Sequence, residues 1–254
     1  MKHMLFALAL AASAQAQAIS VAIDSGHTPS SPGVRGSCGA REVDYNDQVT
    51  GLLVSELQKD GYQIRLTRQP GREVLQNDRG NGTGRESAAS LRQRIVNAGN
   101  SQILISIHHD STAEAHLETV PGLCQGNKPG TRFKDSFKGH RDVNIGFNIF
   151  VSGSRNSNRL GLEIGKRLRA LGLEASNYHS ERWEPGQGAT PIDEENGLWQ
   201  KGLFIVRQSP MPAILIEIHP IVDPDYEAYS TTKEFREAVT KAIKEGVDAY
   251  FGAP

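Results

Sequence analysis

The sequence predicts an α/β fold: a single domain built on a mostly parallel, twisted sheet with helices on both faces. Three observations lead there. Short apolar or alternating runs suited to strands take turns with segments whose apolar residues recur every three or four positions, the order that gives a parallel sheet covered by helices. The 254 residues suffice for a sizeable core. The composition, 37% hydrophobic and 22% charged with 26 Gly and 12 Pro dispersed along the chain, is ordinary for a globular protein and sets aside disordered and collagen-like chains.

The elements follow in order. Residues 19–24 read as a short buried strand, and Tyr45, Val49, Leu52, Leu53 and Leu57 then recur at helical spacing until Gly61, which suits a C-terminal cap. Residues 62–67 alternate as a second strand. Leu91, Ile95 and Ala98 share one face of a helix stopped by Gly99, and residues 103–107 are an apolar strand. Farther on, residues 147–151 read as a strand, Leu160, Ile164, Leu168 and Leu171 as a helix face, and residues 203–206 and 213–218 as two more strands. The last helix opens on a capping box of Thr231 and Glu234 and carries Phe235, Ala238, Val239, Ala242, Ile243 and Val247 as its stripe. Residues 71–85, 111–144 and 172–197 lack periodicity, and connections of that length are usually functional or mobile.

Charge and the amino terminus bound the function. With 28 Lys+Arg against 29 Asp+Glu the formal charge is −1, which argues against nucleic acid as a partner. Lys2 and His3 precede an apolar run over residues 4–12, and Ala14-Gln15-Ala16 and Ala16-Gln17-Ala18 offer small-x-small cleavage sites. Residues 1–18 are therefore expected to be a signal peptide and residues 19–254 the mature domain, periplasmic or secreted. An uncleaved anchor or a buried helix is the alternative. No segment approaches the ~20 consecutive apolar residues of a spanning helix, so no stable membrane insertion is expected after cleavage. Export puts Cys38 and Cys124 in an oxidising compartment and favours a disulfide, with two free thiols or a metal role as the alternatives.

Several catalytic signatures are missing: HExxH, GxSxG and GxxxxGK[ST]. The glycine-rich run 80–84 misses the dinucleotide spacing and reads as a loop, which argues against NAD and ATP chemistry. What remains is a set of ligand-type residues at strand ends, where open α/β sheets bind their ligands. His27 follows the first strand, Glu42 stands just before the first helix, and His108 and His109 end the strand 103–107. Glu217 is embedded in Ala213-Ile214-Leu215-Ile216-Glu217-Ile218, where an unpaired buried charge costs several kcal/mol. Two imidazoles and a carboxylate form a common catalytic zinc shell, and His27, Glu42 and His108 suit it for one Zn2+, with Glu217 beside it as a base. Each residue also admits a plainer role: a satisfied strand-end histidine, a first-turn carboxylate for Glu42, or a Glu217 paired with Arg94 or Arg207.

Six segments occur in a telling order: Val21-Ala22-Ile23-Asp24-Ser25-Gly26-His27, Arg41-Glu42-Val43-Asp44-Tyr45-Asn46, Leu66-Thr67-Arg68, Arg94-Ile95-Val96-Asn97-Ala98, Ile105-Ser106-Ile107-His108 and Pro212-Ala213-Ile214-Leu215-Ile216-Glu217. In these the chain resembles the zinc-dependent N-acetylmuramoyl-L-alanine amidases, exported bacterial cell-wall enzymes, over roughly residues 19–250. The resemblance implies zinc held by His27, Glu42 and His108, with Glu217 as catalytic base. It further implies hydrolysis of the amide between N-acetylmuramic acid and L-alanine, with peptidoglycan or muropeptides as substrate and room for a protein activator. Arg94 and Asn97 match a family Arg and Asn and are expected to be structural supports, with substrate contact as the alternative.

The chain also departs from the family pattern. Ser25-Gly26-His27-Thr28 lacks the usual proline and second glycine. His109-Asp110-Ser111 replaces small or Asn residues, so His109 competes as ligand or orients the site, with His108 preferred. Ile218-His219-Pro220 replaces a Gly-Phe pattern, and His219 is expected at the surface or as a supporting donor. Residues 172–197 do not suit the helix that plugs some periplasmic amidases, so constitutive activity is expected. Lys128, Arg132, Lys134, Lys138 and Arg141 make the 111–144 stretch basic, and a solvated loop is the expectation. A zinc peptidase or deacylase acting on another amide is the competing enzyme class. A catalytically silent wall-binding or regulatory protein would have lost a ligand or the base, and all four residues are present.

Overall fold

The computed structural model describes residues 18–76 and 85–252, so the expected signal peptide, Ala18 apart, and the glycine-rich run 80–84 lie outside the described residues. The first half comprises β1 (Ser20–Ser25), α1 (Glu42–Lys59), β2 (Gln63–Leu66), α2 (Ala88–Ala98), β3 (Ile103–Asp110), β4 (Leu117–Cys124), β5 (Lys128–Phe133) and α3 (Asp135–Lys138). The second comprises β6 (Asn148–Val151), α4 (Arg155–Ala170), β7 (Thr190–Asp193), β8 (Leu198–Gln200), α5 (Phe204–Gln208), β9 (Ala213–Pro220), α6 (Pro224–Thr231) and α7 (Lys233–Phe251). Seven strands form one sheet in the order β2-β1-β3-β9-β6-β8-β7, while β4 and β5 make a separate hairpin. Strands β2, β1, β3 and β9 run parallel, β6 opposes β9, and β7 opposes β8.

Strand alternation distributes the core. Val21, Ile23, Ile103, Ile105, Ile107, Ile214, Ile216 and Ile218 point to one face and pack with Leu53, Leu57, Leu160, Ile164, Ile243 and Val247 of α1, α4 and α7. Ala22, Leu104, Ala213 and Leu215 point the other way, against Ala98 of α2 and Ile205 and Val206 of α5. Helices thus cover both faces, and each buried Ile, Leu or Val contributes about 1.5–3 kcal/mol. Cys38 and Cys124 form a disulfide that ties the β1–α1 connection to the hairpin.

Three local expectations are corrected. Residues 203–206 belong to α5 and its N-cap rather than a strand, and the strand of that region is β8, just upstream. A short continuous apolar run fits a buried strand or a buried helix equally well by periodicity. The final helix is capped by Thr232, whose side chain accepts from the Phe235 N–H, because α6 takes up Thr231. The 111–144 stretch carries the β4–β5 hairpin and α3, and its cations are largely engaged: Arg132 with Glu118, Lys138 with Asp225, and Lys134 with the Ala115 carbonyl.

Candidate active site

The sheet assembles the site through register. In the parallel pair β3–β9, His108 stands opposite Glu217, so both side chains leave the α2/α5 face at adjacent strand ends. β1 lies on the other side of β3 with Ser25 paired to Ile107, and its continuation brings Gly26 and His27 to the same edge. Glu42 is the first residue of α1, on a buried N-terminal turn. His27, Glu42 and His108 consequently present ligand atoms within 4.8 Å of one another.

Glu42 is the centre of this group. Its Oε2 lies 3.0 Å from His27 Nε2 and accepts the Val34 N–H at 3.0 Å. Its Oε1 lies 3.1 Å from His108 Nδ1 and accepts from Asn46 Nδ2 at 3.2 Å and the His109 N–H at 3.3 Å. Burial alone would raise its pKa, yet the His27 and His108 imidazoles hold the carboxyl well below the usual range. His27 shifts the opposite way: against burial, Glu42 raises its pKa.

Two glycines keep the space clear. A Cβ on Gly26 would sit 2.3 Å from His108 Nε2, and one on Gly33, at φ +75°, would sit 2.2 Å from Glu42 Oε2. The donor set therefore fits a small divalent ion: two imidazoles and an ionised carboxylate converge, and the two glycines put no Cβ against them.

His27 itself has φ 64°, a conformation a residue with a Cβ rarely adopts. Arg94 holds it there. The buried guanidinium donates to the His27 carbonyl at 2.5 Å, the Ser25 carbonyl and Asp24 Oδ1 at 2.7 Å each, and both Glu86 oxygens at 2.7 and 2.9 Å. Asp24 also accepts from Ser106 and Thr67, and despite burial these partners, Arg94 foremost, lower its pKa to about 2. Asn97 donates to the Thr67 carbonyl at 2.7 Å. Arg94 and Asn97 are supports of the site's backbone, as expected.

Glu217 is paired with neither Arg94 nor Arg207. Its Oε2 is buried with no hydrogen-bond partner among the described residues, and it faces a cleft of about 1150 Å³ that His27, Glu42 and His108 also line. Burial, reinforced by the charges of Asp110 and Glu42, pushes its pKa well above the ordinary carboxylate value. Such a group readily takes and holds a proton.

The neighbouring histidines separate cleanly. His109, one position beyond His108, turns its ring toward α1, where Nδ1 meets Asn46 Oδ1 at 2.8 Å, and burial drops its pKa to about 3. It is not brought to the His27–Glu42–His108 group, although its backbone N–H helps hold Glu42. His219, expected at the surface or as a supporting donor, is 7% exposed and packs among Tyr226, Tyr229 and Phe235.

Sequence reasoning assigned no role to Asp24, Asn46 or Gly33, which orient the site, nor to Asp110, His179 and Glu184, which line the cleft beside Glu217. Asp24 carried a signal, since a carboxylate in an apolar strand needs a partner just as Glu217 does. Residues 172–197 form no helix across the cleft.

Comparison with known proteins gives a consistent picture. A family model described as N-acetylmuramoyl-L-alanine amidase matches residues 21–249. No curated protein matches the chain in sequence. Among solved structures, the catalytic domain of CwlV, an N-acetylmuramoyl-L-alanine amidase from Bacillus (Paenibacillus) polymyxa var. colistinus, superposes with a TM-score of 0.62 at 18% identity, covering 93% of this chain and 99% of the other. An N-acetylmuramoyl-L-alanine amidase from Clostridium difficile 630 gives 0.65 at 18% identity, with 93% and 98% covered. The CwlD amidase from Clostridioides difficile, solved in complex with the GerS lipoprotein, gives 0.61 at 16% identity, with 92% and 98% covered. At these identities the superpositions establish the fold.

Proposed function

Because this chain belongs to the N-acetylmuramoyl-L-alanine amidase family and so cleaves the bond between N-acetylmuramic acid and L-alanine in peptidoglycan, we propose that it does so as a one-zinc hydrolase. His27, Glu42 and His108 hold the ion and Glu217 is the general base. The observation that carries this reading is the convergence of the three donors within 4.8 Å in a cleft that also holds Glu217, whose Oε2 is buried without a hydrogen-bond partner among the described residues.

A zinc ion bound there supplies Lewis acidity, polarising the scissile carbonyl and making water a stronger acid. The remaining chemistry belongs to the chain. Glu217 takes a proton from the attacking water as its oxygen bonds to the carbonyl carbon, then delivers that proton to the L-alanine nitrogen as the C–N bond breaks. The buried site that raises its pKa suits it to holding the proton between these steps. Asn46, Val34 and His109 orient Glu42 through their N–H groups, and the Arg94–Asp24 pair fixes the backbone that carries His27.

Residues 1–18 serve as the export signal, and the mature domain works in the periplasm or outside the cell. No described helix is long and apolar enough to cross a membrane. Access to the cleft requires no displaced helix, since His27 is 29% exposed and residues 172–197 are free of helix. An activating protein, by analogy with the lipoprotein bound to CwlD, would act through other contacts. Zinc analysis tests the centre: about one ion per chain is expected in the wild type and in Glu217→Gln, and under a tenth of that in Glu42→Gln. Full zinc in Glu42→Gln would refute the ligand set.

A further inference from the structure

One wall of the cleft that holds Glu217 is formed by His179, Glu184 and Gln187 of residues 176–189, a segment that contains no helix or strand. The base of this wall is anchored by backbone and indole contacts. The Ser176 N–H donates to the Phe147 carbonyl, and Trp199 Nε1 donates to the Ser176 carbonyl. Its cleft side is anchored by charge. His179 Nε2 lies 2.8 Å from Asp110 Oδ1, at the end of β3, and His179 Nδ1 lies 2.9 Å from Glu184 Oε1 on the wall itself. Lys201 Nζ meets the second Glu184 oxygen at 3.1 Å, and Asn148 Nδ2 donates to the second Asp110 oxygen at 3.1 Å. His179, Asp110 and Glu184 are all largely shielded from solvent, and all line the same cleft as Glu217.

We propose that His179 is a positioning residue for the reaction: its imidazolium ties the 176–189 wall to the end of β3 and thereby sets the width of the cleft beside Glu217. The proposal rests on the amidase reading above. Both ring nitrogens lie against carboxylates, Nε2 in a hydrogen bond with Asp110 and Nδ1 in charge contact with Glu184, so the ring acts through the wall rather than on the substrate, and two flanking carboxylates favour the cationic form. Against burial, Asp110 and Glu184 raise its pKa to about 9, which keeps that form through neutral pH. Without the cation, Asp110 and Glu184 would stand as shielded carboxylates on either side of a gap, and repulsion would open the wall. Asp110 stands at the end of β3 and acts on Glu217 electrostatically, so a wall that withdraws His179 from Asp110 alters the surroundings of the base.

The test compares wild type, His179→Gln, Glu184→Gln and the double variant in two assays. The first is hydrogen exchange at amides 176–189, which reports the wall whether or not the enzyme turns over. The second is steady-state hydrolysis of a soluble N-acetylmuramoyl-peptide, with zinc content measured in each sample. The proposal predicts faster exchange confined to the wall in His179→Gln. It also predicts a fall in kcat/KM of about 10- to 100-fold, the scale of a small misplacement at a reacting centre, carried mainly by kcat at unchanged zinc. Glu184→Gln, the milder change, should shift both readouts the same way, and the double variant should lose less than the sum of the two singles. Unchanged exchange in His179→Gln overturns the tie. Faster exchange with unchanged kinetics overturns the positioning role and leaves a structural one. A wild type that cuts nothing while its wall is protected refutes the amidase reading, and the positioning role with it.

Discussion

Replacing Arg94 with methionine keeps a long apolar stem and removes a guanidinium that makes five hydrogen bonds. Asp24, 2% exposed, would lose its only cationic partner among the described residues, Glu86 would lose both its bonds to the fork, and the His27 carbonyl would lose its donor. Breaking a buried ion pair from one side costs about 3–5 kcal/mol, because the other charge stays behind. In a domain of this size each kcal/mol corresponds to about 2–4 °C, so Tm should fall by about 6–20 °C. The effect should reach the metal centre too, since His27 at φ 64° depends on that donor. Calorimetry of the mature chain at fixed zinc, with far-UV circular dichroism to confirm folding at 20 °C, gives the first number, and zinc titration gives the second. Adding Asp24→Asn should recover part of the loss, because the stranded charge is then gone. A drop of less than about 3 °C with unchanged zinc affinity would refute the idea that Arg94 supports the site.

Three further outcomes follow from the same contacts. His179 faces Asp110 of β3, Glu184 of the wall and the Phe150 ring of β6, with Lys201 behind Glu184, and its pKa is raised from 6.5 to about 9. Its contribution is therefore complete below pH ~6.5 and lost as pH rises through about 9, at most about 3 kcal/mol. Unfolding free energy should decline over that window in wild type and stay flatter in His179→Gln; parallel curves would contradict the pairing. Changing Cys38 and Cys124 together to serine should cost about 2–5 kcal/mol in chemical denaturation, since the bridge closes a separation of 86 residues, and an unchanged midpoint would show the bridge to be idle. Gly26→Ala places a Cβ 2.3 Å from the His108 ring, so zinc affinity should weaken by about 1–3 kcal/mol in titration, and unaltered affinity would mean that the ring has room to move.

The parts of this molecule that were legible in the sequence are those in which local periodicity and burial agree. The continuous apolar runs of β1, β3 and β9 identified the strands, whereas the shared face of His108 and Glu217 and their register exist only once the strands are laid side by side. Residues 203–206 misled because four apolar residues in a row satisfy either kind of element. The β4–β5 hairpin escaped because its strands are only partly buried and carry Pro and Gly. α6 had a readable start, Asp223 before Pro224, with the Asp223 side chain accepting from the Asp225 N–H. The candidate ligands His27, Glu42 and His108 could be named because each follows or opens an element read from the sequence. His179 could not, because Asp110 lies 69 residues away and the tie exists only once the wall folds back on β3.

The most direct measurement is mass spectrometry of the soluble products released from purified peptidoglycan by the mature protein, with and without chelator, beside Glu217→Gln. Stem peptides beginning with a free L-alanine amine are expected, abolished by chelator and reduced about 10²- to 10⁴-fold by the loss of the general base. Cleavage inside the stem peptide, or full activity in Glu217→Gln, would contradict the assignment of this cleft as a zinc amidase site.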